Sequence, residues 1–553
     1  VSGARAGIAA LLGLEADVAI VGAGAAGCLL AAKLARAGRR VVVLEAGPAW
    51  QLSDLTSNLI WSRRLKWGGA PVLPAGDHPF SFNYNAGWGF GGAALHHFGA
   101  WPRLHEADFQ VRSLHGRGFD WPIDYGDLQP WYDRVQEEVG LSGDAEAEVW
   151  RPEGAPYPMP PLRVLAQGEA VARGFTALGM RTAPTPAAIN STPDKGRPAC
   201  IYDGWCEAGC PIHALANPLV TYKPEALAHG AEFRADCEVV RVLGGAGERV
   251  QGVEFLDAAG ERRQLRARAV VLAASVVQNP RILFNSASGR APNGLGNRSG
   301  LLGKFFMTHA LINVFGLFQQ ETHPHEGVSS SQLICHDRYG KTSTPGAFGS
   351  RQWLIAPAIK PNDLLGIATN RADLIGRDLA RFMEQAVRQL GNMTGFAEEL
   401  PMEQNRIELS AEKDARGVPL ARLHHTFSEN TLRLWRGMAQ EGRRVFEAGG
   451  AREVWTTPIV NAHMMGGTLM GDDPADSVTD SYGRCHDLAN SLVAGGGEQP
   501  SACNKQVGMV AAAPVSAAHR LGGSVAHQRR AHHLRLDHAG GPPPPRAPRR
   551  PHA

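Results

Sequence analysis

Three cysteines stand within eleven residues in Cys200-Ile-Tyr-Asp-Gly-Trp-Cys206-Glu-Ala-Gly-Cys210-Pro211, while Cys28, Cys237, Cys335, Cys485 and Cys503 are scattered. Thiols this close can hold a metal, form a disulfide or simply pack together. Structural zinc takes four ligands, and only His213, three residues past Cys210, offers another nearby. A disulfide would leave one odd thiol. An iron–sulfur cluster is the remaining reading, because the closing C-x3-C-P step resembles the end of a ferredoxin ligand run and three thiolates suit a cluster lacking one iron. Gly22, Gly24 and Gly27 form G-x-G-x-x-G, whose glycines permit a tight turn, a close approach of backbone N–H groups to a pyrophosphate, and helix-to-strand packing. Glu45, 18 positions after Gly27, can accept the ribose hydroxyls of an adenosine and argues against a 2′-phosphate. His463 is a third candidate, since imidazole titrates near neutral pH and can take a proton; beside Met and Gly it reads equally well as a packed structural histidine.

The elements that must position these residues are legible in part. Asp17 to Val21 reads as a strand, Gly22 to Gly27 as a turn, Ala25 to Ala37 as a helix and Val41 to Glu45 as a second strand, together a β-α-β unit whose helix N-terminus faces the anion. Residues 50–165, rich in Gly, Trp, Pro and Asp, read as lid and linker. Residues 237–275 read as a small meander returning to a buried strand at Val270 to Ala274. Residues 306–454 mix polar strands such as NRIELS with amphipathic helices at 371–390 and 428–448. After Gly522 the chain becomes HQRRAHHLRLDHAGGPPPPRAPRRPHA and loses the apolar periodicity a fold requires, so disorder is expected there.

The totals bound the answer. A chain of 553 residues implies more than one domain, and 44% hydrophobic residues, 20% charged residues and a formal net charge of +3 describe a globular protein with no basic face for nucleic acid. No run approaches the roughly 20 apolar residues of a spanning helix. The first residues, VSGARAGIAALLGLEADV, lack a clear secretory cleavage site.

Three further segments carry a resemblance. Gly87-Trp-Gly-Phe-Gly91-Gly92-Ala-Ala-Leu-His96-His97, VVLAASVVQNPRILFNSA at 270–287 and Asn461-Ala-His463-Met-Met-Gly-Gly-Thr468-Leu-Met-Gly471, in this order with the first turn, resemble the glucose-methanol-choline oxidoreductases. Gln278 and Asn279 depart from the small hydroxyl residues commoner there. DWPIDYGDLQPWYDRVQEEVGLSG at 120–143 and PNGLGNRSGLLGKFFMTH at 292–309 resemble the bacterial gluconate, fructose and FAD-dependent glucose dehydrogenase branch.

The resemblance implies an α/β fold: a discontinuous Rossmann-like FAD-binding domain and an α+β substrate domain on a mainly antiparallel sheet. Residues 14–305 would form the first, with the lid at 50–165 and the cysteine segment at 200–211, residues 306–454 the second, and 455–522 the return to the first, leaving 523–553 as the tail. FAD is the implied cofactor, with Gly91 and Gly92 in its second glycine loop and His463 as the base that takes the hydroxyl proton while a hydride passes to the flavin. His96 stands where some relatives attach flavin covalently, although noncovalent packing is the expectation; His97 takes the next offset. Asn504, 41 positions beyond His463, is the candidate second hydrogen-bonding residue. Its surroundings depart from the family, because Pro514 would interrupt the expected helix and the chain from about Glu498 reads as out-of-frame translation. Cys200, Cys206 and Cys210 are implied to hold a three-iron four-sulfur (3Fe-4S) centre. The implied substrate is a sugar, sugar acid or polyol, and the implied partners are a small chaperone-like subunit and a multihaem cytochrome c subunit. Membrane association would come only through that partner, on the periplasmic side of the inner membrane after partner-assisted export, with a cytoplasmic location if there is no partner. Rival readings are an oxygen-using oxidase with structural cysteines and a catalytically impaired flavin-binding subunit.

Overall fold

The computed structural model describes residues 15–66, 69–80, 85–244 and 249–499. Asn504 and the 523–553 tail lie outside the described residues.

Val18 and Ile20 point to one side of strand β1 (Ala16–Val21) and Ala19 and Val21 to the other, yet all four are buried. A strand covered on both faces belongs to a sheet with layers on both sides, the usual setting of parallel strands. β1 pairs in parallel with β2 (Val41–Leu44), which pairs in parallel with β3 (Glu232–Arg234). On the other side β1 pairs in parallel with β6 (Arg262–Leu272), the last strand of the meander formed with β4 (Glu238–Gly244) and β5 (Val250–Leu256). Helix α1 (Ala25–Arg36) covers one face, where Leu29, Leu30 and Leu34 are each about 1% exposed or less; each such side chain contributes roughly 1.5–3 kcal/mol. Strand β15 (Ser491–Val493) returns near the end of the described chain to pair in parallel with β6.

The second sheet is antiparallel. Its centre is β7 (Met307–Leu317), β10 (Leu390–Ala397) and β9 (Arg351–Ile355), with β8 (Leu333–Cys335) beyond. β13 (Glu453–Thr456) and β14 (Val460–Met465) pair in turn along the free edge of β7. A third, small sheet joins β11 (Arg406–Lys413), β12 (Pro419–His424) and Leu73–Ala75. Helices α2 (Gly376–Gln389) and α3 (Glu429–Ala448) bear out the two amphipathic stretches. Helix α3 packs on one face of the second sheet, where Met438, Val445 and Phe446 are fully buried with Val314 and Trp353. Pleating sends alternate residues to the opposite face, which carries Leu311, Phe396 and Gln352 in register across three strands. The fold is therefore the mixed α/β arrangement expected.

One buried charge network ties the 106–108 turn to the second sheet. Lys341 Nζ donates to Asp108 Oδ1 at 2.6 Å and to Glu398 Oε2 at 2.8 Å, while Tyr339 donates to Asp108 Oδ2 and Ser350 N to Glu398. The two carboxylates hold the Lys341 pKa above its ordinary value despite burial, so the ammonium persists. Replacing Lys341 by Met leaves two buried carboxylates without their cation and should lower stability by roughly 3–5 kcal/mol. The midpoint of urea unfolding measures this; a midpoint equal to that of the parent chain would show the network to be dispensable.

Candidate active site

The first glycine turn is built by close backbone contacts. Gly22 has φ +100°, and a Cβ there would meet the carbonyl oxygen of Ala273 at 2.5 Å; a Cβ on Gly27 would meet the carbonyl oxygen of Gly22 at 2.0 Å. Gly24 differs: its backbone is extended and a Cβ would meet nothing within 4 Å. This is the open position through which a phosphate can reach the α1 N-terminus, where Gly24 offers no side-chain cap and the first turn holds no acidic residue. Cys28 lies fully buried beneath the turn, its thiol donating to the carbonyl of Ala23 at 3.1 Å.

The second glycine loop lies against the first. Gly91 N donates to the carbonyl of Ala23 at 2.9 Å, and a Cβ on Gly92 would stand 3.0 Å from Gly24 Cα. Glu45 binds both loops. Its Oε2 accepts Ala23 N–H at 2.8 Å, and its Oε1 accepts Gly47 N–H at 2.9 Å and Gly89 N–H at 3.0 Å. Burial is the largest influence on Glu45 and raises its pKa, against the lowering by those N–H donors. A carboxylate offers about four acceptor positions, and backbone N–H groups take at least three of them.

The two neighbouring histidines behave differently. His97 Nε2 donates to the carbonyl of Ala216 at 2.9 Å, so this ring is committed to the segment after the cysteines. His96 is buried with no hydrogen-bond partner for Nε2, and desolvation lowers its pKa to about 3, so it is a neutral imidazole. Each ring keeps one buried nitrogen without a hydrogen-bond partner, His96 Nε2 and His97 Nδ1.

The cysteine segment leans on this region. Trp61 Nε1 donates to Ala208 O at 3.1 Å, and Lys66 pairs with Glu207. Each of the three sulfurs accepts one backbone N–H: Tyr202 N to Cys200 Sγ at 3.3 Å, Ser329 N to Cys206 Sγ at 3.4 Å, and Leu215 N to Cys210 Sγ at 3.3 Å. To aim these donors the loop adopts left-handed backbone at Tyr202 (φ 61°), Cys210 (φ 56°) and His213 (φ 67°), each a costly choice for a non-glycine residue. Backbone N–H donors directed at sulfurs suit an anionic group. Burial pushes the Cys200 thiol up to about 12, and it also raises Cys206 and Cys210, with Cys206 raised further by the other two thiols. Thiolates here therefore need a compensating cation. All three cysteines are free, and among the described residues no group of three His, Cys, Asp or Glu side chains is placed to hold a metal ion, so this arrangement by itself supports neither the zinc nor the iron–sulfur reading.

His463 sits on β14 where the pairing with β7 slips between Ala462 and Met465, and its φ is +54°. Such an irregularity re-aims a side chain. Thr308 fixes the strand just before it, donating from Oγ1 to Ala462 O at 2.8 Å and accepting Ala462 N–H at 3.0 Å. The His463 ring then stacks on Phe396, with centroids 5.1 Å apart, and its Nδ1 lies 2.9 Å from His309 Nδ1. The ring is accessible at its surface, yet enough protein surrounds it that desolvation lowers its pKa to about 4. A neutral, surface-accessible imidazole can accept a proton throughout the neutral range. If it is the base, the acid limb of kcat/KM should fall nearer pH 4 than the ~6.5 of ordinary imidazole. A pH-rate profile checks this, and a limb at or above ~6.5 would contradict it.

Behind this pair, buried Glu399 accepts from Thr308 N, Asn405 and His425, while His425 Nδ1 donates to His78 O. His309, Phe396, Thr308 and the Glu399–His425 pair are contributions that sequence reasoning missed; the only signal was that FFMTH ended one of the resembling segments.

The family model described as GMC oxidoreductase matches residues 16–310, and a second with the same description matches residues 401–513. The chain is 29% identical to the 2-methyl-1,2-propanediol dehydrogenase of Mycolicibacterium austroafricanum, covering 87% of this chain and 90% of that protein. It is also 29% identical to the fructose dehydrogenase large subunit of Gluconobacter japonicus, covering 87% and 93%. The crystal structure of pyridoxine 4-oxidase from Mesorbium loti superposes with a TM-score of 0.60 at 16% identity, covering 92% of this chain and 99% of that one, which supports the shared fold.

Proposed function

This chain belongs to the GMC oxidoreductase family, FAD-dependent enzymes acting on alcohols or sugars, and on that premise we propose that it is the flavoprotein subunit of a dehydrogenase. Its substrate is a sugar, sugar acid or polyol, oxidised at a CH–OH group. Gly22, Gly24, Gly27, Gly91 and Gly92 line the bed for FAD, Glu45 takes a ribose hydroxyl, and His96 packs noncovalently against the flavin while His97 braces the cysteine segment. His463 Nε2 takes the hydroxyl proton as the C–H bond breaks, and Asn504 would hydrogen-bond the same oxygen. FAD, when bound, accepts the hydride. Cys200, Cys206 and Cys210 would hold a 3Fe-4S cluster, which supplies one-electron transfer towards a cytochrome partner.

The observation that carries the dehydrogenase reading is the cradle of the three sulfurs, each accepting a backbone N–H. Among the described residues no helix is long and apolar enough to cross a membrane, so membrane association, on the periplasmic side, would come from a partner. Iron and acid-labile sulfide analysis with low-temperature EPR, on protein purified without oxygen, tests the cluster. Three irons per chain and a signal lost in Cys206→Ser are expected; an iron-free, fully folded flavoprotein would overturn the reading.

The burial that keeps these thiols protonated also suits inert packing residues, and it favours one second reading, an oxygen-using oxidase of the same fold with structural cysteines. The same iron analysis separates the two.

A further inference from the structure

We propose that His309 is a positioning residue that fixes the tautomer of His463 through the bond between their Nδ1 atoms. The proposal rests on the reading of His463 as the base and adds a residue that touches neither cofactor nor substrate.

Two imidazole nitrogens 2.9 Å apart share one proton between them. In one arrangement His309 Nδ1–H donates and His463 carries its proton on Nε2. Its outward nitrogen is then already protonated and cannot act as a base. Taking a proton would also require His463 to gain one on Nδ1, facing the proton on His309. In the other arrangement His463 Nδ1–H donates to the lone pair of His309 Nδ1. Nε2 is then bare, and when the substrate O–H bond breaks and the Nε2–H bond forms, the Nδ1 contact becomes charge-assisted and strengthens. Only this second arrangement is compatible with base catalysis.

The surroundings hold the pair in register. His309 is 1% exposed on central strand β7, so its ring cannot swing into solvent. Thr308 clamps the Ala462 backbone from the adjacent position, and Phe396 stacks on the His463 ring while meeting His309 edge-on at 5.8 Å. The left-handed turn at His463 is what brings its ring over His309. A strained backbone at a reactive residue is worth its cost when it delivers a defined orientation. A third group that orients the base and selects its tautomer is a general device of base catalysis, and loss of such a group lowers rate far more than binding.

The test uses the FAD-loaded full chain with 15N-labelled histidine, assigning the His463 resonances by their absence in His463→Ala. The expected wild-type spectrum at neutral pH shows Nδ1 protonated and Nε2 bare, and His309→Phe shifts His463 towards the Nε2-protonated form. In the same variants kcat should fall about 10- to 100-fold in His309→Phe with KM changed less than about threefold, and His309→Asn, whose amide oxygen can accept from Nδ1–H, should recover most of it. A wild-type spectrum with Nε2 protonated overturns the proposal, whatever the variants do. So does a His309→Phe protein with the parent tautomer and the parent kcat. If the spectra are as expected but His463→Ala keeps its activity, the base reading fails while the tautomer assignment stands.

Discussion

Replacing His463 by Ala is expected to lower kcat by ~10²–10⁴-fold while the protein still binds FAD. The size follows from what the position supplies. A substrate hydroxyl is a weak acid, and hydride departure from its carbon is favoured only as the oxygen gives up its proton. In the variant, water must take that proton without orientation. FAD retention follows from geometry: His463 lies on an edge strand of the second sheet, whereas the glycine loops and Glu45 belong to the first. Flavin content by absorbance and steady-state rates with the best available sugar or polyol check both halves. A kcat within about threefold of the parent would remove His463 from the chemistry.

Replacing Gly24 by Val should abolish FAD binding without unfolding the chain. This separates the three glycines of the first turn, which sequence pattern treats alike. At Gly22 and Gly27 an added Cβ collides with backbone oxygens at 2.5 and 2.0 Å, so Ala there damages the fold itself. At Gly24 the backbone is extended, a conformation any residue adopts, and an added Cβ meets nothing within 4 Å. That space is what a pyrophosphate must occupy to reach the α1 N-terminus. The expected result is a soluble, folded, colourless protein, seen as a parent-like circular dichroism spectrum with at least a 100-fold weaker affinity for added FAD, ~2.7 kcal/mol. A yellow Gly24→Val protein would show that the turn is structural.

How much of this was legible in the sequence differs from element to element. The β-α-β unit was, because its signals are local: apolar strands, glycines at fixed spacing and an amphipathic helix within about thirty residues. The meander at 237–275 and the helices near 376–389 and 429–448 were readable for the same reason. Glu45 was found by its spacing, but its main work in the structure is to collect the backbone N–H groups of Ala23, Gly47 and Gly89, the last 44 residues away, which spacing cannot reveal. The cysteine segment announced itself by density, while the N–H donors to its sulfurs depend on backbone angles that non-glycine residues rarely adopt. His309 closed a resembling segment but its role was not legible, since its partner is 154 residues away on a strand that slips out of register. Asn504 stays a proposal drawn from resemblance.

On the proposed reading the chemistry draws on two sheets. The first is parallel at its core and presents glycine loops for a dinucleotide; the second is antiparallel and presents His463 with His309 behind it, while the cysteine segment rests against the first through Ala216 and His97. The most direct test of the central claim is to mix the FAD-loaded protein, without oxygen, with sugars, polyols and sugar acids while following flavin absorbance, and then admit air. The account predicts bleaching by at least one of these substrates that persists in air and reverses when a one-electron dye is added. Rapid return of absorbance in air with formation of peroxide, or no bleaching by any of these substrates, would contradict it.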